Sequence, residues 1–134
     1  MSEGLADRGF ADFRPSLGTI GQHVADGGSR VTDLARLAQV SKPTVVYLVD
    51  ELERLGYVER VADPADRRAK LVRLTRRGLR AQEAARAIVG EIEADWSRLL
   101  GPSDFATLRT LLERLHDELW PAPASPPRRG GDSR

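Results

Sequence analysis

Residues 41–74 read SKPTVVYLVDELERLGYVERVADPADRRAKLVRL, and a change of period inside this stretch decides the fold. Ser41 is a good helix N-cap, and Pro43 falls in the first turn, where a missing N–H costs little. Val45, Leu48, Val49, Leu52 and Leu55 then recur at helical spacing, and Gly56 is the residue type that tolerates a left-handed helix end. Beyond it the pattern turns to β: residues 57–61 (YVERV) form one short run and residues 70–74 (KLVRL) a second. The segment between them, residues 62–68 (ADPADRR), is dense in turn formers and charge and is expected to be loop.

Upstream, Pro15 and Ser16 open an amphipathic helix with Leu17, Ile20 and Val24 on one face, stopped by Gly27-Gly28. Thr32 is the expected N-cap of a short helix with Asp33 in its first turn and Leu34, Leu37 and Ala38 facing inward. Gln39-Val40 makes a brief turn before Ser41. Two helices joined by so short a turn have the layout of a helix-turn-helix, and a hairpin directly after it makes a wing. Residues 1–14 read as a short lead-in without a sustained period.

Downstream, Thr75 should cap a long helix over about residues 76–100, with Leu79, Ile88, Ile92, Trp96 and Leu99 as an intermittent apolar stripe. Gly101-Pro102 breaks it, and Ser103 is the expected cap of a last helix. There Phe105, Leu108, Leu112, Leu115 and Leu119 recur at spacings of 3, 4, 3 and 4, a seam of coiled-coil type. One winged helix cannot cover this much apolar surface, so Ile88, Ile92, Trp96, Phe105, Leu108, Leu112, Leu115 and Leu119 are expected to bury against a second subunit. Folding both helices back on their own domain is the alternative. The tail, residues 121–134, is rich in Pro and lacks large apolar residues, and is expected to be disordered. The fold class is therefore mainly α with a small β-hairpin: a winged helix-turn-helix domain over residues 15–78, with dimerisation helices over residues 79–120.

The 134 residues carry 21 Lys+Arg and 20 Asp+Glu, a net +1 that hides an asymmetry. From Arg54 to Arg80 there are nine basic and three acidic residues; from Ala81 to Trp120 there are four basic and eight acidic. A basic surface aimed at a polyanion, with an acidic remainder, fits that layout. The absence of cysteine excludes disulfides, thiolate metal sites and a thiol switch. The only histidines, His23 and His116, belong to no ligand motif, so no metal or other cofactor is expected. No catalytic triad or glycine-rich phosphate loop points to an enzyme. No apolar run approaches the ~20 residues that span a bilayer, and residues 1–10 lack the order of a secretory signal. A cytoplasmic protein is expected, with no membrane partner.

The wing is the most recognisable part. Residues 66–78, DRRAKLVRLTRRG, match an Asp–x–Arg start and an apolar–x–Leu-Thr–x–x–Gly close. With Leu34-Ala35, Val40-Ser41, residues 48–52 (LVDEL) and residues 55–60 (LGYVER), the chain resembles the MarR family of bacterial winged-helix regulators over roughly residues 14–119. That resemblance implies a homodimer binding palindromic promoter DNA, usually as a repressor, and often released by a small aromatic ligand or an oxidant. It therefore brings a small-molecule inducer as a partner. Family members usually begin with a long first helix, whereas only about 14 residues precede the Pro15-Ser16 helix here. Most of the dimer burden is then expected on the C-terminal helices. Trp96, Phe13 and Phe105 are either pocket walls or ordinary core.

Recognition helices put their N-terminal residues against base edges. Opposite the apolar stripe, Ser41, Lys42, Thr44, Val46 and Tyr47 are the expected DNA-facing residues. Lys42 suits phosphate or guanine, Thr44 either, Val46 a thymine methyl and Tyr47 a phosphate. A small rotation of the helix would instead put Val46 and Tyr47 in the core. On the wing, Arg68 at the hairpin tip suits a narrow minor groove, and Arg67, Arg73, Arg76 and Arg77 suit phosphates. By resemblance, Asp66 pairs with Arg68 and positions it. The reading is a sequence-specific DNA-binding transcriptional regulator; a winged-helix protein–protein interaction module with weak DNA affinity is the alternative.

Overall fold

The computed structural model describes residues 2–119, so the expectation for the tail lies outside the described residues. The order is α1 (Ser2–Ala6), α2 (Pro15–Gly21), α3 (Val31–Ala38), α4 (Lys42–Arg54), β1 (Val58–Asp63), β2 (Asp66–Leu74), α5 (Arg76–Leu100) and α6 (Pro102–Leu119). This is the mainly helical chain with one antiparallel hairpin that the period change predicts. It divides into two compact units, one up to Glu91 and one from Ile92.

The first unit holds the core. Leu17 and Ile20 of α2, Leu34 of α3, Val45, Val49 and Leu52 of α4, and Val58 and Val72 of the hairpin are all almost completely buried. Burying each such side chain contributes about 1.5–3 kcal/mol, and together they fix α4 across α2 and α3. The α3–α4 turn is tight because Gln39 takes a left-handed φ of 54°. Ser41 caps α4 as expected, its Oγ accepting the Thr44 N–H at 3.2 Å.

Several boundaries differ from expectation, each for a local reason. Helix α2 ends at Gly21, before Val24, which is nevertheless buried. Helix α3 starts at Val31 with Arg30, not Thr32, as its N-cap. Ser29 and Val72 exchange two backbone hydrogen bonds of 2.8 Å, which keep the chain extended up to that point and add a one-residue third strand to the wing. Helix α6 starts at Pro102 rather than after Ser103, because Gly101 turns the chain at φ 86° and proline is pre-set for the first helical position.

The largest correction is the wing tip. Strand β1 runs on to Asp63 and β2 begins at Asp66, leaving only Pro64 and Ala65 as turn. Asp63 Oδ1 accepts the Ala65 N–H at 2.9 Å and Asp66 Oδ1 accepts the Arg68 N–H at 3.0 Å. The aspartates thus tighten the turn instead of lengthening the loop. Pairing runs Val58↔Leu74 through Ala62↔Lys70 and then jumps to Asp63↔Asp66, so Arg67, Arg68 and Ala69 bulge out between consecutive pairs.

Thr75 joins hairpin to helix. Its hydroxyl donates to the Gly56 carbonyl at 2.5 Å and accepts the Gly78 N–H at 3.1 Å, capping α5. The close approach requires glycine at 78: a Cβ there would lie 2.0 Å from the Tyr57 carbonyl oxygen.

The second unit contains the end of α5 and α6. No residue of α6 is buried, and Leu108, Leu111, Leu112, Leu115 and Leu119 are all exposed. Arg109 ties the two helical segments, reaching Glu93 at 2.9 Å and Glu113 at 3.1 Å.

Candidate nucleic-acid interface

Helix α4 buries Val45, Leu48, Val49 and Leu52 and turns Ser41, Lys42, Thr44, Val46 and Tyr47 outward. Val46 is 39% exposed and Tyr47 63%, so neither belongs to the core. The hydroxyls of Ser41 and Thr44 lie 2.7 Å apart, one donating to the other. The first turn carries no acid. All the carboxylates of the helix lie in its second half and are ion-paired: Asp50 and Glu53 with Arg60, Glu51 with Arg14 and Arg54. The Arg54 hydrogen bond holds the Glu51 carboxyl below its ordinary value, so it stays charged and paired.

On the wing, Arg67 and Arg68 are exposed on the bulge, and among the described residues neither side chain has an ion-pair partner. Asp66 holds Arg68 through its backbone N–H, not through the guanidinium. Arg73 is engaged: its guanidinium donates to Glu59 Oε1 at 2.7 and 3.1 Å across the hairpin. Arg77 is half-exposed but engaged, donating to both oxygens of Asp12 at 2.7–2.8 Å and lying over the Tyr57 ring at 4.6 Å. The Tyr57 hydroxyl donates to the same carboxylate at 2.5 Å. That bond, with the Arg77 charge behind it, holds the Asp12 carboxyl below its ordinary range. Burial, then the Asp12 partner, raises the Tyr57 phenol.

Two further anchors of the wing escaped sequence reasoning. Arg30 Nη2 meets the buried Asp63 at 2.5 Å, tying the hairpin tip to the start of α3. The Ala65 N–H and then Arg30 hold the Asp63 carboxyl below its usual value. Arg60 reaches from β1 back to Asp50 at 2.5 Å and to Glu53, tying the wing to α4. These pairs join residues 7 to 33 positions apart with no periodic signal.

A cavity of about 410 Å³ lies in the first unit, walled by Leu5, Phe13, Leu52, Tyr57, Ala81 and Val89 among others, with Thr19, Gln22, Gln82 and Arg86 adding polar groups. Of the three aromatics considered for a pocket, Phe13 is in its wall, while Trp96 and Phe105 belong to the second unit. Ile88, expected in a dimer face, is 6% exposed and packs near Gly4 of α1, so its own chain already covers it. Ile92 is half-buried, and Trp96 and the α6 leucines are exposed. Among the described residues no cluster of His, Asp or Glu is arranged to hold a metal ion, and no helix is long and apolar enough to cross a membrane.

Comparison with known proteins gives consistent matches. Residues 17–69 match the model described as MarR family. The transcriptional activatory protein BadR of Rhodopseudomonas palustris is 36% identical over 101 residues, covering 72% of this chain and 55% of that one. The chain spans about half the length of the curated relatives it matches, 55% of each. Among solved structures, CouR from Rhodococcus jostii RHA1 bound to p-coumaroyl-CoA is similar at TM-score 0.71 and 26% identity, covering 90% of this chain and 82% of that one. A single-substitution mutant of S. aureus MepR bound to an oligodeoxyribonucleotide is similar at TM-score 0.56 and 27% identity, covering 88% and 86%.

Proposed function

Because this chain belongs to the MarR family of winged-helix, DNA-binding transcriptional regulators, we propose that it acts in the cytoplasm as a homodimer on a palindromic promoter site. One observation carries the reading most directly: the outward face of α4 from Ser41 to Tyr47 is free of acid, and every carboxylate behind it is neutralised by arginine. A surface meeting phosphates needs that arrangement, since an unpaired carboxylate there would repel the duplex. Lys42, Val46 and Tyr47 would enter the major groove, and Arg67 and Arg68 the neighbouring minor groove. The exposed leucines of α6 supply the apolar face for a second copy.

The mode proposed is repression by occlusion of the promoter. BadR is named as an activatory protein, and a reporter carrying the operator decides the sign for this chain. The apolar cavity is the proposed inducer site, its size suiting an aromatic ring.

Selection of bound duplexes from a random pool tests the core of the proposal. An enriched palindrome, bound with a steep loss of affinity as salt rises, is the expected result. No enrichment, or a flat salt profile, would favour the protein–protein module instead.

A further inference from the structure

We infer that Val46 is a specificity-determining residue, reading the 5-methyl group of a thymine in each half-site. The inference rests on the proposed docking of α4 and adds the chemistry of what that helix recognises.

Elimination on the face of α4 leads there. Its first two turns, KPTVVY, contain no Arg, Asn or Gln, so no amide is there to read an adenine edge and Lys42 alone could reach a guanine. The hydroxyls of Ser41 and Thr44 are 2.7 Å apart, and Ser41 Oγ also accepts the Thr44 N–H, so Ser41 is engaged in capping the helix and one of the two O–H donors is already used. Asp50, which would otherwise accept from cytosine, is held by Arg60 at 2.5 Å. Lys42 at the helix start is a point charge suited to phosphate or a single acceptor. What remains on that face is Val46, 39% exposed, beside Tyr47, 63% exposed, whose hydroxyl suits a phosphate. Neighbouring Val45 is fully buried and Val49 likewise, so the exposure of Val46 is not a gap in the core. A branched aliphatic side chain in the major groove has one complementary feature to meet, the thymine methyl.

The test uses the full chain and the duplex enriched by selection. Each half-site thymine is replaced in turn by deoxyuridine, which removes the methyl and leaves every hydrogen bond. One replacement in each half-site removes two methyl groups and should weaken wild-type binding about fifteenfold, about fourfold for each buried methyl. The Val46→Ala protein should bind thymine and uracil duplexes alike at that position, while its unfolding midpoint stays that of the wild type. Uniform indifference of the wild type to every replacement would overturn the inference and leave the DNA reading intact. Equal sensitivity in Val46→Ala would also overturn it, by assigning the methyl to another side chain. Failure to enrich any duplex would overturn both.

Discussion

The Tyr57 hydroxyl donates to Asp12 Oδ1 at 2.5 Å across 45 positions of sequence, and Arg77 closes the group by gripping both oxygens of the same carboxylate. Tyr57 opens the wing, Arg77 opens α5 and Asp12 lies in the lead-in, so one buried ring joins three segments. Phe13 meets the same ring edge-on at 5.1 Å.

Removing the hydroxyl should cost stability without disturbing the fold. Tyr57→Phe is expected to lower the unfolding free energy by about 1.5–3 kcal/mol, the scale of a hydrogen bond to a charged group. The pH dependence follows from the directions of the shifts. Asp12 ionises more readily when folded, so its contribution is present above its unfolded value and lost as pH falls through the folded one. The raised Tyr57 phenol contributes below its unfolded value and loses that contribution as pH rises through the folded one. Urea titrations should therefore show a plateau from about pH 5 to about pH 9. The gap between wild type and Tyr57→Phe should close toward both ends; a gap independent of pH would contradict the assigned bond.

Gly78→Ala should be far more damaging than the addition of one methyl group suggests. Its Cβ would meet the Tyr57 carbonyl oxygen at 2.0 Å, and that oxygen already accepts the Thr75 N–H at 3.0 Å. Neither backbone can yield without opening the junction of wing and α5. A loss of about 3 kcal/mol or more in urea unfolding is expected, against less than about 1 kcal/mol for Gly90→Ala, which has open space and gains helix propensity.

Arg68→Ala and Arg73→Ala should separate in DNA binding. Arg68 has no ion-pair partner among the described residues, whereas Arg73 already has Glu59. Electrophoretic titration of the selected operator should show a loss of about 1–3 kcal/mol for Arg68→Ala. Arg73→Ala should cost clearly less. Equal losses would mean that Glu59 does not restrain Arg73 in the complex.

The proposed dimer should be broken by changes on α6 alone. Leu112 and Leu115 are 56% and 54% exposed, so replacing both with Glu should leave the monomer's core untouched. Sedimentation at micromolar concentration should show a dimer for the wild type and a monomer for the double variant, with operator affinity falling sharply. A wild-type monomer would remove the case for a palindrome.

What is legible in the sequence is whatever repeats or caps. The period switch at Gly56, the Ser41 and Thr75 caps and the apolar faces of α2 and α4 each announce themselves within a turn or two of chain, whereas on α3 Leu34 alone is buried and Leu37, expected inward, is exposed. The hairpin turn is hidden because ADPADRR looks like loop by composition, while its aspartates in fact accept backbone N–H groups and shorten the turn. Arg77 reads as a phosphate contact because nothing near it hints at Asp12, 65 positions away. Ile88 shares the helical stripe of the exposed residues, but Gly4 leaves room for it to be covered by α1. Such partners are set by tertiary placement, which leaves no local pattern to read.

The grip of Arg60 on Asp50 and Glu53 has a consequence for regulation. Because Arg60 ties strand β1 to the rear of α4, and Arg30 ties the hairpin tip to α3, helix and wing are expected to move together. In the proposed dimer, an effector would then leave the fit within one half-site unchanged and alter how far apart the two recognition helices stand. Operators with one base pair inserted or deleted at the centre would then mimic the induced state, whereas changes within a half-site would not.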